Sequence, residues 1–221
     1  MLTLTPKQVA TALGLNQSTI KRWCDLGRLK SIRTVGGHRR LPMREVFAFL
    51  RENGSELRDP TIFGLPPSEG ATPLLSLPQA KNRFRDALVS GEEPSARDVL
   101  IRFFLHRTRL SEIADEVIAP AMRDIGELWD CGRVEVYQER RSCELALNAL
   151  REIRHYLPSP TDAAPLAIGG TLKGDHYSLA SALVELTLRE EGWNSRSLGV
   201  GSPLDHFLAA IDAEKPRLVW V

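Results

Sequence analysis

Apolar residues recur at helical spacing through most of the chain and at strand spacing only near its two ends. Val9, Ala12 and Leu13 mark a first short helix, with Thr5 as cap and Pro6 in its first turn, where the missing N–H costs nothing. Asn16 caps a second, whose apolar face is Ile20, Trp23 and Leu26 and whose stop is Gly27. Leu29, Ile32 and Val35, followed by Gly36-Gly37, predict a hairpin. Pro42, Val46, Phe47 and Leu50 predict a third helix, with the proline in its first turn. Helix, turn, helix, wing and helix make a winged helix-turn-helix over residues 1–53, whose second helix enters the DNA major groove.

Residues 54–79 hold five prolines and no sustained period, so they predict a linker. Ile62, Phe63, Leu65, Leu74 and Leu75 are apolar enough that parts of it should dock. From 80 to 157 the period is helical again. Phe84, Ala87 and Leu88 belong to one helix, ended near Gly91, and Val99, Leu100, Phe103 and Phe104 to a second. Ile113, Val117, Ala121 and Ile125 repeat every four residues on a third, where Pro120 removes a hydrogen bond and should kink it. A fourth runs over about 134–156, with Val136, Cys143, Leu147 and Leu150 on its buried side. Four amphipathic helices with short joints predict a four-helix bundle.

Over 158–221 the pattern becomes strand, helix, strand, helix, strand, which predicts a parallel sheet with right-handed crossovers. The expected fold is therefore mainly α and multidomain: winged helix, four-helix bundle, then a flavodoxin-like α/β sheet. A sheet of this type needs about five strands, so a pattern ending after the third reads as a truncated domain with an exposed edge. Ligands in such sheets sit beyond the carboxyl ends of the strands. The stretch Gly174–Ala180, GDHYSLA, follows the first strand and falls there.

Charge sharpens the picture. Residues 1–53 carry ten Lys/Arg against three Asp/Glu, and the remainder nineteen against twenty-five. A basic head on an acidic body points to double-stranded DNA as partner. Ser18, Thr19, Lys21 and Arg22 lie off the apolar face of the second helix, placed for phosphates and base edges. Arg33, His38, Arg39 and Arg40 crowd the hairpin, which costs repulsion unless an anion is near. If about five phosphates are neutralised, log K falls with log salt at a slope near −4 to −5. Three scattered cysteines give neither a zinc motif nor a disulfide framework. With no leader or membrane-length apolar run, the expectation is a cytoplasmic protein with no membrane partner.

Nearly all of 3–53, and "SIRTVGGHRR" above all, resembles the winged-helix domain of MerR-type regulators and excisionase-like proteins. With bundle and sheet behind it, the whole chain resembles the cobalamin-binding, light-responsive MerR-type repressors of carotenoid synthesis. That resemblance implies a non-enzymatic transcription regulator holding adenosylcobalamin between bundle and sheet. It implies self-association, as dimer or tetramer, on an operator. It assigns Trp129, Val136, Glu139 and Arg140 to one side of the cofactor, and Asp175, His176 and Tyr177 to the other. Trp129 and Glu139 fit the family's W-x9-E-H, with Arg140 in the place of the histidine. Read by residues alone, Trp129 belongs to the core and Glu139 and Arg140 to the surface. Tyr177 stands at the position of the cobalt-ligating histidine, and His176 lies one residue early as the remaining metal ligand. Two readings stay open: a regulator with a diverged cobalamin site, or a constitutive DNA-binding protein or antirepressor with a degenerate sensor. Cobalamin-dependent methyl-transfer modules share the bundle–sheet pair, but the DNA-binding head argues against an enzyme.

Overall fold

The computed structural model describes residues 3–54, 57–65 and 75–221. The head begins with β1 (Thr3–Leu4) and α1 (Pro6–Leu13). Thr5 and Gln8 form a reciprocal capping box, and Gly14 closes the helix in the left-handed region at φ 64°. The second helix, α2 (Gln17–Asp25), starts at Asn16 as expected, but the Asn16 side chain makes no capping hydrogen bond. Ile20 is buried and Trp23 packs on Phe49 at 4.9 Å. Leu26 is exposed, because the helix ends before it and turns it off the apolar face. The wing is β2 (Ile32–Arg33) against β3 (Arg39–Pro42), and β1 adds on the far side of β3, giving the antiparallel order β1-β3-β2. Ile32 and Val35 are exposed at this hairpin rather than buried. Pro42 closes β3 and precedes α3 (Met43–Asn53), so it stands at the cap rather than inside the first turn.

Part of the linker docks. Arg58 and Asp59 donate their N–H groups to the carbonyl of Ala12 at 2.8 and 3.1 Å. A 3-10 turn (Pro60–Phe63), capped by Asp59, then buries Phe63, and Leu65 is buried after it. Leu74 lies outside the described residues. Phe47 of α3 stands edge-on to Phe63 at 5.1 Å and stacks on Tyr156 at 3.8 Å. One continuous core thus runs through head, linker and bundle.

The bundle comprises α4 (Leu77–Ser90), α5 (Glu93–Leu105), the rod α6 (Leu110–Ile113), π turn (Ala114–Ile118) and α7 (Ala119–Asp130), and α8 (Val136–Tyr156). Ile113, Val117, Ala121 and Ile125 are all fully buried. Pro120 is accommodated by the π turn just before it, closed by the Ala119 N–H on the carbonyl of Ala114. Along α8 the buried positions are Ser142, Leu145, Ala146, Ala149, Leu150, Ile153 and Tyr156, at the 3–4 spacing of a core-facing helix, with Leu147 buried beside them toward α9 as expected of it. Cys143, also expected there, is half-buried. Val136, expected on that side, is half exposed in the first turn of α8.

The last unit is β4 (Leu166–Gly169), α9 (Ser178–Glu190), β5 (Asn194–Ser197), α10 (Leu204–Glu214) and β6 (Leu218–Trp220). The three strands are parallel in the order β5-β4-β6. Gly169 and Gly170 are there for close approach. A Cβ on Gly169 would lie 2.1 Å from the Trp220 ring, and one on Gly170 2.3 Å from the Gly199 carbonyl oxygen. Helix α9 lies against α8, which brings the carboxyl ends of the strands to the flank of the bundle. No described helix is long and apolar enough to cross a membrane.

Candidate DNA interface and ligand cleft

The first site is the groove between α2 and the wing, a cavity of about 600 Å³ lined by Thr5, Pro6, Gln17, Lys21, Arg33, Gly37, His38, Arg39 and Arg40. Ser18, Lys21, Arg22, Arg33 and His38 are exposed, and Thr19 and Arg40 half-buried. Lys21, Arg22, Arg33 and Arg40 make no ion pair among the described residues. Arg39 is different. Its Nη2 meets Asp25 at 2.6 Å and its Nη1 donates to the Lys21 carbonyl at 3.0 Å. The hydrogen bond to Asp25 holds its pKa above the usual arginine value.

Register explains why. Arg33 faces Arg39 directly across the two strands, so both side chains leave the same face and repel. Asp25 at the end of α2 is the anion that relieves one of the pair. Arg39 therefore straps the wing to the recognition helix, while Arg33 on that face has no ion pair among the described residues. Gln17 and Thr5 join this groove although neither was expected there. The position of Gln17 in the first turn of α2 was a legible signal for it.

The second site is a cleft of about 680 Å³ between α8, α9 and the loops beyond the strand ends. From α8 it takes Glu144, Leu147, Leu150, Arg151 and Arg154; from α9 Ser178, Ser181, Ala182, Glu185 and Leu186; and from the loops and β5 His176, Arg196, Ser197, Gly199 and Val200. Its floor is apolar and its rim polar, and its size is that of a small-molecule site. Two loops form the lip. Thr171 Oγ1 donates to the Asp175 carbonyl at 2.6 Å and accepts from the Gly201 N–H at 2.9 Å. Lys173 N–H reaches the Ser202 carbonyl at 3.0 Å, and Ser202 N–H the Thr171 carbonyl at 2.9 Å. His176 packs beside Gly201, where an added Cβ would lie 3.6 Å from its ring. Arg154 stands 3.0 Å from Glu185 without the alignment of a hydrogen bond. Arg189, one turn further along α9, is lowered in pKa by burial and then by the positive charge of Arg154.

The sequence-derived site residues divide in three. His176 lines the cleft. Tyr177 does not: it is 77% exposed, and its N–H is held by Asp175 Oδ1 at 2.8 Å just before α9 starts. Asp175 therefore shapes the loop. Trp129, Val136, Glu139 and Arg140 lie outside the cleft wall, near the α7–α8 turn. Trp129 is 48% exposed, so it is not the core residue that its type suggested, and Arg140 is exposed. Glu139 is half-buried, and the Cys143 thiol meets it at 3.6 Å. Burial, then the Glu139 charge, pushes that thiol up to about 11. Arg140 nonetheless shares one stripe of α8 with Glu144, Leu147, Arg151 and Arg154, at alternating steps of four and three residues. It stands one turn, about 6 Å, above the cleft. The cationic residues Arg151, Arg154 and Arg196 were not anticipated; the stripe that begins at Arg140 carried the signal for the two on α8.

Residues 3–54 match the family model "Helix-turn-helix domain", and residues 80–154 the model "B12 binding domain". No match is found among curated proteins. Among solved structures, the monomethylamine corrinoid protein of Methanosarcina barkeri superposes with a TM-score of 0.54 at 18% identity, over 65% of this chain and 69% of that one. The methanol:cobalamin methyltransferase complex of the same organism gives 0.37 at 19% identity, over 69% and 61%. A cobalamin-binding protein of Desulfitobacterium hafniense DCB-2 gives 0.33 at 16% identity, over 66% and 67%. The first of these shows a shared fold for bundle and sheet. The chain thus joins a segment similar to helix-turn-helix domains to one similar to B12-binding domains.

Proposed function

We propose that this protein is a MerR-type transcription regulator, not an enzyme, whose DNA binding is controlled by a cobalamin held in the cleft between α8 and α9. The observation that carries this reading is His176. It is an imidazole on a loop at the carboxyl ends of parallel strands, lining a cleft whose other wall is the B12-binding-type bundle. The donor set fits the group: a nitrogen ligand for cobalt, an apolar floor of Leu147, Leu150 and Leu186, and the hydroxyls of Ser178, Ser181 and Ser197 for amide side chains. A bound adenosylcobalamin would supply a light-cleavable cobalt–carbon bond.

In this reading Tyr177 is not the ligand, and Arg140 lies above the cleft in place of a covering imidazole. Lys21, Arg22, Arg33 and Arg40 bind phosphates; Ser18, Thr19 and His38 complete the contact surface. Self-association, as dimer or tetramer, gives two heads an avidity that one lacks. The exposure of Tyr177 also supports the second reading, a degenerate sensor on a constitutive DNA-binding protein or antirepressor.

One experiment separates the two. Binding to the duplex upstream of the gene is measured by anisotropy in the dark, with and without adenosylcobalamin, alongside sedimentation. Regulation predicts that the cofactor changes both the affinity and the mass. Equal affinity and equal mass in both arms would leave the constitutive reading.

A further inference from the structure

Glu190 is the last residue of α9, and its carboxylate ties its own unit to two others at once. It pairs with Arg51 of α3, in the DNA-binding head. Its other oxygen accepts the N–H of Leu110, the first residue of the α6 rod, at 2.7 Å. That N–H has no closer cap, since Arg109 makes no side-chain capping bond. Glu190 is only 9% exposed at its side chain, so both contacts act where solvent screens little.

The surroundings hold Arg51 in place. Its guanidinium lies over the Phe104 ring at 4.2 Å, and it also donates to the Thr108 carbonyl at 3.4 Å. Arg107 returns the contact, its Nε donating to the Arg51 carbonyl at 2.5 Å. Arg107 does so from the left-handed region, at φ 65°, which a non-glycine residue occupies at a cost. A strained residue at a junction of three units is held there by that junction.

The other end of α9 walls the ligand cleft, from Ser178 to Leu186, and Glu190 follows one turn later. A helix of 13 residues is a rigid rod of about 20 Å. Any ligand that moves α9 against α8 must strain the Glu190 contacts. Meanwhile Lys21, Arg22 and Arg33 stay exposed with α3 docked, so docking leaves the DNA face open. What it fixes is the direction in which the head points.

We infer that Glu190 is a positioning residue: it locks the orientation of the DNA-binding head to the position of α9, and so transmits the state of the cleft to the head. The inference rests on the ligand reading of that cleft for its biological input, but the lock itself is tested without ligand. In the full-length protein, amide exchange of Leu110 and of the last turn of α3 is followed by NMR for wild type, Glu190→Ala, Arg51→Gln and the cleft-filling Ala182→Trp.

Glu190→Ala should speed Leu110 exchange about ten- to hundredfold, the weight of one charge-assisted hydrogen bond, and speed exchange of the amides in the last turn of α3, which the shared core around Phe47 keeps docked. Arg51→Gln should speed exchange in the last turn of α3 but leave Leu110 exchange unchanged, a split that general destabilisation would not give. It also stands in if Glu190→Ala fails to fold. Ala182→Trp, which wedges α9 from α8, should speed Leu110 exchange. Exchange in the last turn of α3 unchanged in both junction variants overturns the lock, and Leu110 exchange unchanged in Ala182→Trp overturns the transmission. A separate incubation with hydroxocobalamin judges the ligand: protein that stays colourless counts against cobalamin in the cleft and not against the lock.

Discussion

Arg33 and Arg39 face each other across the wing, yet they should fail in different ways when neutralised. Arg33 makes no ion pair among the described residues, whereas Arg39 is tied to Asp25 at 2.6 Å and to the Lys21 carbonyl. Four cations of the DNA face are therefore free to displace counterions: Lys21, Arg22, Arg33 and Arg40. At about 0.9 counterion per phosphate contact the slope of log K against log salt should be near −3.6. A fourfold rise in salt then weakens binding by about two orders of magnitude. Arg33→Gln removes one free cation, so the slope should drop to about −2.7. Arg39→Gln removes a strap. It should weaken binding at every salt concentration, by about tenfold for a lost charge-assisted bond, with the slope kept near −3.6. Fluorescence anisotropy on a labelled duplex between 50 and 200 mM salt, both roughly the range of that relation, measures all three slopes. A slope that falls for Arg39→Gln as much as for Arg33→Gln would refute the strap, and wild type near −4.5 would count Arg39 as a fifth phosphate ligand.

Other consequences follow from packing and titration. Phe47 is fully buried between Phe63 and Tyr156, so Phe47→Ala should cost about 3–5 kcal/mol in urea unfolding, with loss of the single transition that a shared core implies. A methyl on Gly169 would strike the Trp220 ring, so Gly169→Ala should destabilise by about 1–3 kcal/mol, and adding Trp220→Ala should recover part of it in a double-mutant cycle. The Cys143 thiol is raised to about 11 by burial and then by Glu139, so it stays protonated well past neutrality. Its contribution is present below the unfolded thiol value and is lost as pH rises toward 11. At pH near 8 iodoacetamide should label the exposed Cys131 at least about tenfold faster than Cys143, as read by mass spectrometry. Equal rates would contradict the burial argument.

The helices were legible because each signal was local. The Thr5 cap, the stop at Gly91 and the four-residue repeat from Ile113 to Ile125 each follow from neighbours along the chain. The order of elements was legible for the same reason. What the sequence hid was set by tertiary pairing. The strand β1 is two residues long and exists only because β3 lies beside it. Asp25 became the partner of Arg39 through a wing register that no single-chain pattern announces. The π turn was not foreseen because Pro120 reads as a kink, while the backbone absorbs it by one wider turn.

The candidate cleft was half visible. Loop position after a strand placed GDHYSLA correctly, but not which of two adjacent side chains turns inward. Asp175, by holding the Tyr177 N–H, settles that choice for His176. Arg151 and Arg154 were hidden among ordinary surface arginines until α9 was packed against them.

The most direct test is a visible spectrum. Wild type, His176→Ala and Tyr177→Phe are each mixed with hydroxocobalamin, freed of unbound ligand and scanned. Ligation of cobalt by His176 predicts corrin retained by wild type and Tyr177→Phe, with His176→Ala either colourless or shifted in its bands. A colourless wild type, or a His176→Ala protein with the wild-type spectrum, would contradict it.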